Sequence, residues 1–324
     1  MSELLKNIDA RTKLAGTNKL EILLFFLGVD QRTGRRETYG INVFKVREVM
    51  RTPPITAAPD MPSSVEGMVS LRGALVPVID LAKYSGISSE VPREIMIVTE
   101  YNGHTQGFLV EGVDTILRLD WSKMRVPPEM LMSQTGGLVT AVTELEDNRL
   151  VMMMDVEKVL SETTSIDNEL IFRSVVPIDR PDCTVFYCDD SVVARKQIER
   201  TLSAMGVKGV SAVNGRRMWD EMEKMAVYAK SVGRPLSSII NLILTDIEMP
   251  EMDGYMLTKQ IKGDPRFAGI PVIMHSSLSG MSNQKLGLSV GVDEYVPKFE
   301  PQRLSETLAR RLGVDVAGLK AISA

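Results

Sequence analysis

The sequence predicts a multidomain chain, with an all-β sandwich or barrel in its first half and a doubly wound α/β domain in its second. Two observations predict it. From residue 21 to about 160, short β-rich runs recur at close intervals, whereas from residue 184 onward strand-length apolar runs alternate with helix-length segments. A chain of 324 residues also exceeds what one hydrophobic core ordinarily supports. The pattern changes across residues 161–181, a polar stretch with Pro177 and Pro181 and no sustained period, and the domain boundary is expected there. The expected division is therefore a polar segment at 1–19 with a short helix over 3–14, a β domain at 20–165, a linker at 166–182, an α/β domain at 183–315 and a tail at 316–324.

Regular structure begins with the apolar run 21–28, a polar turn at 30–36 and a second run at 39–44, which together read as a hairpin. Further short runs at 67–71, 74–80, 94–99, 105–110 and 150–155 have the spacing of a sandwich or barrel. Among them, Arg72 and Gly73 interrupt two apolar runs, and the simplest reading is a turn that exposes Arg72. In the second half the strands are expected at 184–187, 209–212, 242–245, 272–275 and 294–296, with helices at 192–205, 217–229, 254–263, 283–290 and 301–312. In the first of these helices Ala194, Ile198 and Leu202 recur at four-residue spacing and build one apolar face. Five βα units make a doubly wound, five-stranded parallel sheet.

Composition narrows the functions. With 38 basic and 42 acidic residues and a net charge of −4, no overall positive field is available to hold nucleic acid or an anionic membrane. Partners are expected to be proteins. No apolar run approaches the roughly 20 residues that span a bilayer. The first residues lack the parts of a secretory signal, so a cytoplasmic chain is expected. Cys183, Cys188, His104 and His275 are too dispersed for a zinc site. Both cysteines read as reduced structural thiols, with a disulfide between them left open. The first half shows neither a catalytic constellation nor a glycine-rich phosphate loop, so a non-catalytic module is expected there.

In an open parallel sheet, chemistry gathers outside the carboxyl ends of the strands. The sequence places Asp189 and Asp190 after the first strand, Asp246 after the third, Ser276 and Ser277 after the fourth and Lys298 after the fifth. Any one of these acids alone reads as a helix cap. Together they read differently, because three close carboxylates repel one another unless a hard divalent cation such as Mg2+ sits among them. Such a cation also neutralises a phosphoryl group approaching one of the acids, which can then act as a nucleophile and form an acyl phosphate.

The stretches Tyr187-Cys-Asp-Asp190, Leu244-Thr-Asp-Ile-Glu-Met-Pro-Glu-Met-Asp-Gly254, Pro271-Val-Ile-Met-His-Ser-Ser277 and Tyr295-Val-Pro-Lys298 resemble the four motifs of response-regulator receivers. The resemblance spans the second half. It implies that Asp246 accepts phosphate from a histidine kinase and that Asp189, Asp190, Asp246 and the backbone carbonyl of Glu248 hold Mg2+. It also implies that Ser276 bonds the phosphoryl group, Lys298 pairs with it, and Tyr295 switches between exposed and buried rotamers. Three features depart from the family. Lys298 is followed by Phe299 rather than proline and preceded by Pro297, which leaves the local backbone and any cis bond open. Residues 231–240 make a longer connection than in the smallest receivers. Glu248 and Leu278 occupy positions that govern attack of water on the acyl phosphate, and Leu278, unable to orient a water, implies slow loss of phosphate.

In the first half, Phe25 to Gly28, Tyr39 to Glu48, Ser70-Leu-Arg-Gly73 and Met153 to Leu160 resemble CheW-like coupling domains. That family implies two small five-stranded barrels that link chemoreceptors to the histidine kinase CheA. Val46, Glu48 and Arg72 match positions that face receptor or kinase, while the hairpin turn at 30–37 is longer than in the shortest members. A CheW-like domain joined to a receiver resembles the CheV family of chemotaxis coupling proteins. The combination implies a cytoplasmic scaffold on membrane-bound receptor arrays, contacting CheA and the cytoplasmic tips of methyl-accepting chemoreceptors and regulated by phosphorylation on Asp246. No chemistry is implied beyond its own phosphorylation and slow dephosphorylation. The alternative is a tethered phosphate sink that drains the kinase without changing coupling. A DNA-binding regulator is disfavoured, because twelve residues after Leu312 leave no room for a recognition helix.

Overall fold

The computed structural model describes residues 19–101, 104–163, 172, 174–277, 287–298 and 300–314. The expected helix at 3–14, the start of that at 283–290, Leu278, Phe299 and the tail lie outside the described residues. The chain divides into two compact units, one of Leu20–Ser165 and one that holds the chain from Ile166 onward.

The first unit carries strands β1 (Lys19–Phe26), β2 (Thr38–Asn42), β3 (Val46–Arg51), β4 (Val65–Leu71), β5 (Ala74–Asp80), β6 (Ile95–Tyr101), β7 (His104–Val110), β8 (Gly112–Asp120), β9 (Val139–Glu144) and β10 (Leu150–Met154). Helices α1 (Leu81–Tyr84), α2 (Glu129–Gln134) and α3 (Val156–Thr163) accompany them. The strands form two five-stranded sheets, in the orders β8-β1-β2-β10-β9 and β3-β6-β7-β5-β4. The expected hairpin is β1–β2, antiparallel with Leu23 opposite Ile41. Its long turn holds the connection between α1 and β6, since Gln31 N donates to Ser88 O at 2.9 Å and Arg32 Nη2 to Gly86 O at 3.1 Å.

Each sheet curls until its edges meet. Thr56, just past edge strand β3, exchanges both backbone hydrogen bonds with Met68 of the opposite edge strand β4, each 2.9 Å long. Arg125, past edge strand β8, does the same with Val142 of β9 at 2.9 Å. Two small five-stranded barrels result, and closure removes the open edges that invite unwanted pairing. The first of these bridges requires Gly67. Its φ is +138°, and a Cβ there would stand 2.1 Å from Thr56 O. Between the barrels, Leu23, Phe25, Ile41 and Val43 meet Ile79, Ile97 and Phe108, and α3 adds Val156 and Val159 to the same core.

The second unit is a parallel sheet of β11 (Thr184–Cys188), β12 (Lys208–Ala212), β13 (Leu242–Thr245), β14 (Val272–Ser276) and β15 (Glu294–Pro297), in the order β12-β11-β13-β14-β15. Helices α4 (Val192–Met205) and α7 (Pro301–Arg311) cover one face, where Ile198, Leu202, Leu304 and Leu308 pack on Val185, Leu244 and Val296. Helices α5 (Gly215–Ser231) and α6 (Gly254–Gly263) cover the other, where Met218, Met222, Leu257 and Ile261 pack on Phe186, Ile243 and Met274. Burial on both faces explains why these strands read as continuous apolar runs. Asn241, which interrupts one such run, accepts from Thr184 N at 2.7 Å and donates to Ser237 O at 3.0 Å, anchoring the long connection after α5.

Cys183 and Cys188 are both free and buried, so the disulfide left open by their spacing does not form. Burial pushes the Cys188 thiol up to about 12. No cis peptide bond occurs among the described residues. No described helix is long and apolar enough to cross a membrane.

Candidate functional site

Parallel register brings the strand ends of the second unit level with one another. Cys188 pairs with Thr245, and Ser276 with Pro297, so the residues that follow emerge along one edge of the sheet. The ladder runs up to the site itself: Asp246 N donates to Cys188 O at 2.9 Å, and Lys298 N to Ser276 O at 3.1 Å.

One carboxylate oxygen from each of Asp189, Asp190 and Asp246 lies within 4.8 Å of the others. Asp189 is 0% and Asp246 4% exposed, and Asp190 is half-buried. Lys298, only 2% exposed, places Nζ 2.8 Å from Asp189 Oδ2 and 3.0 Å from Asp246 Oδ2. Two buried acids therefore share one ammonium, which offsets their mutual repulsion. Their other oxygens are also held: Asp189 Oδ1 accepts from Ser191 N at 2.9 Å, and Asp246 Oδ1 from Ile247 N at 2.7 Å. A donor set of carboxylate oxygens alone suits a hard cation such as Mg2+ rather than a soft transition metal.

The backbone around Asp246 leaves no slack. Thr245 Oγ1 donates to Asp246 O at 2.8 Å, and Gly254 N donates to Ile247 O at 2.9 Å. A Cβ on Gly254 would lie 2.0 Å from Asp246 O, so the first residue of α6 has to be glycine for the helix to approach this closely. Across the sheet, Ser276 ends β14 and is buried, and the half-buried Tyr295 of β15 hydrogen-bonds with it. Burial pushes the Tyr295 hydroxyl well above the usual phenol range, with the Ser276 bond working in the opposite direction.

In the first unit, Arg72 and Gly73 form the two-residue turn between Leu71 and Ala74, with φ of +51° and +85°. Positive φ at both positions is the signature of a type I′ hairpin turn. Arg72 is exposed as expected, at 69% of its side chain, and Nη2 donates to Glu48 Oε2 at 2.9 Å. The exposed Leu75 lies three positions further along the same hairpin. Val46 differs from the expectation. It is 8% exposed and packs into the core between the barrels, so it supports β3 from beneath rather than offering a surface.

The comparisons with known proteins cover both halves. Residues 24–164 match the model of the CheW-like domain, and residues 185–309 that of the response regulator receiver domain. The chemotaxis protein CheV3 of Helicobacter pylori is 30% identical over 301 residues, which span 91% of this chain and 95% of that relative. The chain belongs to the CheV family of chemotaxis proteins. CheV1 of the same organism is 28% identical over 332 residues, 96% of this chain and 99% of the relative. The chemotaxis protein CheW of Klebsiella aerogenes is 32% identical over 163 residues, 48% of this chain and 93% of that protein. As a CheV-family member with both domains, the chain is a chemotaxis coupling adaptor under the control of receiver phosphorylation.

Within this CheV-family chain the expected receiver residues Asp189, Asp190, Asp246, Ser276, Tyr295 and Lys298 gather at one sheet edge, and the buried Glu248 lies two residues past Asp246. Sequence reasoning missed Arg195, whose Nη1 donates to Asp189 O at 2.6 Å and to Asp190 O at 2.9 Å. A signal was present: a cation in the first turns of α4 opposes the helix dipole, so it calls for a local partner. It also missed the pair of half-buried Lys45 Nζ and buried Glu157 Oε1, 3.0 Å apart, for which local sequence carries no signal.

Proposed function

We propose that Asp246 is the phosphoacceptor of this adaptor, charged by the histidine kinase CheA, and that Glu48 and Arg72 belong to the surface that meets CheA and the cytoplasmic tips of methyl-accepting chemoreceptors. The observation that carries the first part is the buried Asp189–Lys298–Asp246 arrangement at the strand ends, with Asp190 beside it. Asp189, Asp190, Asp246 and the Glu248 carbonyl would hold Mg2+, which when bound supplies charge neutralisation to the oxygens of the incoming phosphoryl group. An Asp246 carboxylate oxygen attacks phosphorus as the nitrogen–phosphorus bond of the kinase phosphohistidine breaks, giving an acyl phosphate. Lys298, already against Asp246, pairs with the new dianion, and Ser276 donates to a phosphoryl oxygen. When the Ser276 hydroxyl turns to the phosphoryl group, its hydrogen bond with Tyr295 breaks, which favours a change of the Tyr295 rotamer. That rearrangement is the two-state element by which a local charge biases coupling.

Docking of the barrels in a receptor and kinase array on the cytoplasmic side keeps the kinase at high local concentration around the receiver. A leucine at residue 278, which cannot orient a water, favours slow hydrolysis of the acyl phosphate, and a lifetime as short as that of the fastest receivers would count against this part. The test is label transfer from phosphorylated CheA in the presence of Mg2+, to wild type and to Asp246→Asn in parallel. Transfer to wild type alone is expected; transfer to both, or to neither, refutes Asp246 as the acceptor. In reconstituted arrays of fixed composition, blocking Asp246 should change kinase output. Unchanged output would instead favour the phosphate sink.

A further inference from the structure

We infer that Arg195 is a positioning residue for divalent-cation binding, holding the Asp189–Asp190 loop in the form that receives the cation; this rests on the receiver reading above. Arg195 is the fourth residue of α4. A guanidinium there is disfavoured by the helix dipole, and its charge would also repel a divalent cation held by Asp189 and Asp190. The contact that keeps it in place is a single nitrogen, Nη1, which donates to Asp189 O at 2.6 Å and to Asp190 O at 2.9 Å. Two successive carbonyls drawn to one donor fix the peptide between them, and with it the angle between the two departing side chains. Ser191 completes the clasp: its N donates to Asp189 Oδ1 at 2.9 Å, while its Oγ accepts from Ala194 N at 3.3 Å and caps the helix.

Two effects of Arg195 on the cation thus have opposite signs. Its charge weakens binding, and its grip on the loop strengthens binding. Groups that orient metal ligands without touching the metal are typically worth about 10- to 100-fold in affinity. A charge directed at carbonyls and half screened by solvent does less, so positioning prevails.

The sign is measurable by calorimetric titration of the full chain with Mg2+, for wild type, R195M and R195K, alongside label transfer at rising Mg2+. R195M is expected to weaken Mg2+ binding about 10-fold. Its label transfer should be most impaired at limiting Mg2+ and recover as Mg2+ rises. R195K keeps an ammonium able to donate to both carbonyls and should regain most of the affinity. Unchanged or tighter Mg2+ binding by R195M, or a deficit independent of Mg2+, overturns the positioning role. Wild type that binds no Mg2+ overturns the receiver reading itself, a result distinct from failure of the variants alone. If R195M does not fold, R195Q carries the same comparison with the same expected loss.

Discussion

Arg72 and Glu48 meet at 2.9 Å although Arg72 sits in the turn after β4 and Glu48 on β3, the two opposite edge strands of one five-stranded sheet. The curl that brings them together is the one pinned by the backbone bridge of Thr56 and Met68. An exposed ion pair of this kind contributes about 0–1 kcal/mol, while a left-handed backbone costs a non-glycine residue about 1–2 kcal/mol. The balance leaves Arg72 at best neutral for stability.

Arg72→Gly should therefore separate folding from binding. Glycine accepts the +51° φ without strain. The variant should be as stable as wild type or up to about 1 kcal/mol more stable in urea, yet bind kinase or receptor more weakly by about 1–3 kcal/mol. Binding within about 0.5 kcal/mol of wild type would reduce Arg72 to an ordinary turn residue.

Lys298→Met removes the ammonium shared by two buried carboxylates. Breaking a buried ion pair from one side costs about 3–5 kcal/mol. Because a cation that binds only the folded state stabilises it, Mg2+ should raise the stability of the variant by more than it raises that of wild type. Equal increments in denaturant midpoint would show that Lys298 and the cation do not answer the same repulsion.

Gly254→Ala drives a Cβ to within 2.0 Å of Asp246 O, where only backbone movement can relieve the clash. A loss of about 1–3 kcal/mol is expected for forced packing of this size. If Asp246 is the phosphoacceptor, as proposed, displacing its backbone should also slow label transfer by about 100-fold. A variant that transfers label at the wild-type rate would show that the position of the Asp246 backbone is not critical.

Cys188 supplies a pH dependence. Its thiol has a folded value raised from 9.0 to about 12 by burial, so the folded state keeps a proton that the unfolded chain gives up. Its contribution is fully present below pH 9 and is lost as pH rises through about 12, at a slope of up to ~1.4 kcal/mol per pH unit. Cys188→Ala should flatten the alkaline fall in stability, and the native thiol should resist alkylation at pH 8. Rapid alkylation without unfolding would contradict its burial.

Much of the fold was legible because its signals are local. The β1–β2 hairpin, the turn at Arg72–Gly73 and the five parallel strands all follow from apolar runs punctuated by turn residues. Strand β8 escaped because Asp114, Thr115 and Ile116 face solvent at its centre, and β9 because Val139, Ala141 and Thr143 alternate with partly buried neighbours over only six residues. Helix α3 was missed although Val156, Val159 and Leu160 carry helical spacing, since eight residues beside a polar stretch give a weak period.

Which side chains stand at the carboxyl ends of the strands, Asp189, Asp190, Asp246, Ser276 and Lys298 among them, was legible because strand period and the residues that close each apolar run are short-range patterns. No local signal showed that Lys298 spans Asp189 and Asp246, that Arg195 clasps the acidic loop, that Val46 turns inward or that two bridges close the barrels. Those outcomes depend on residues from separate elements meeting at hydrogen-bond or packing distance, and that meeting is set by how whole elements pack rather than by any local pattern.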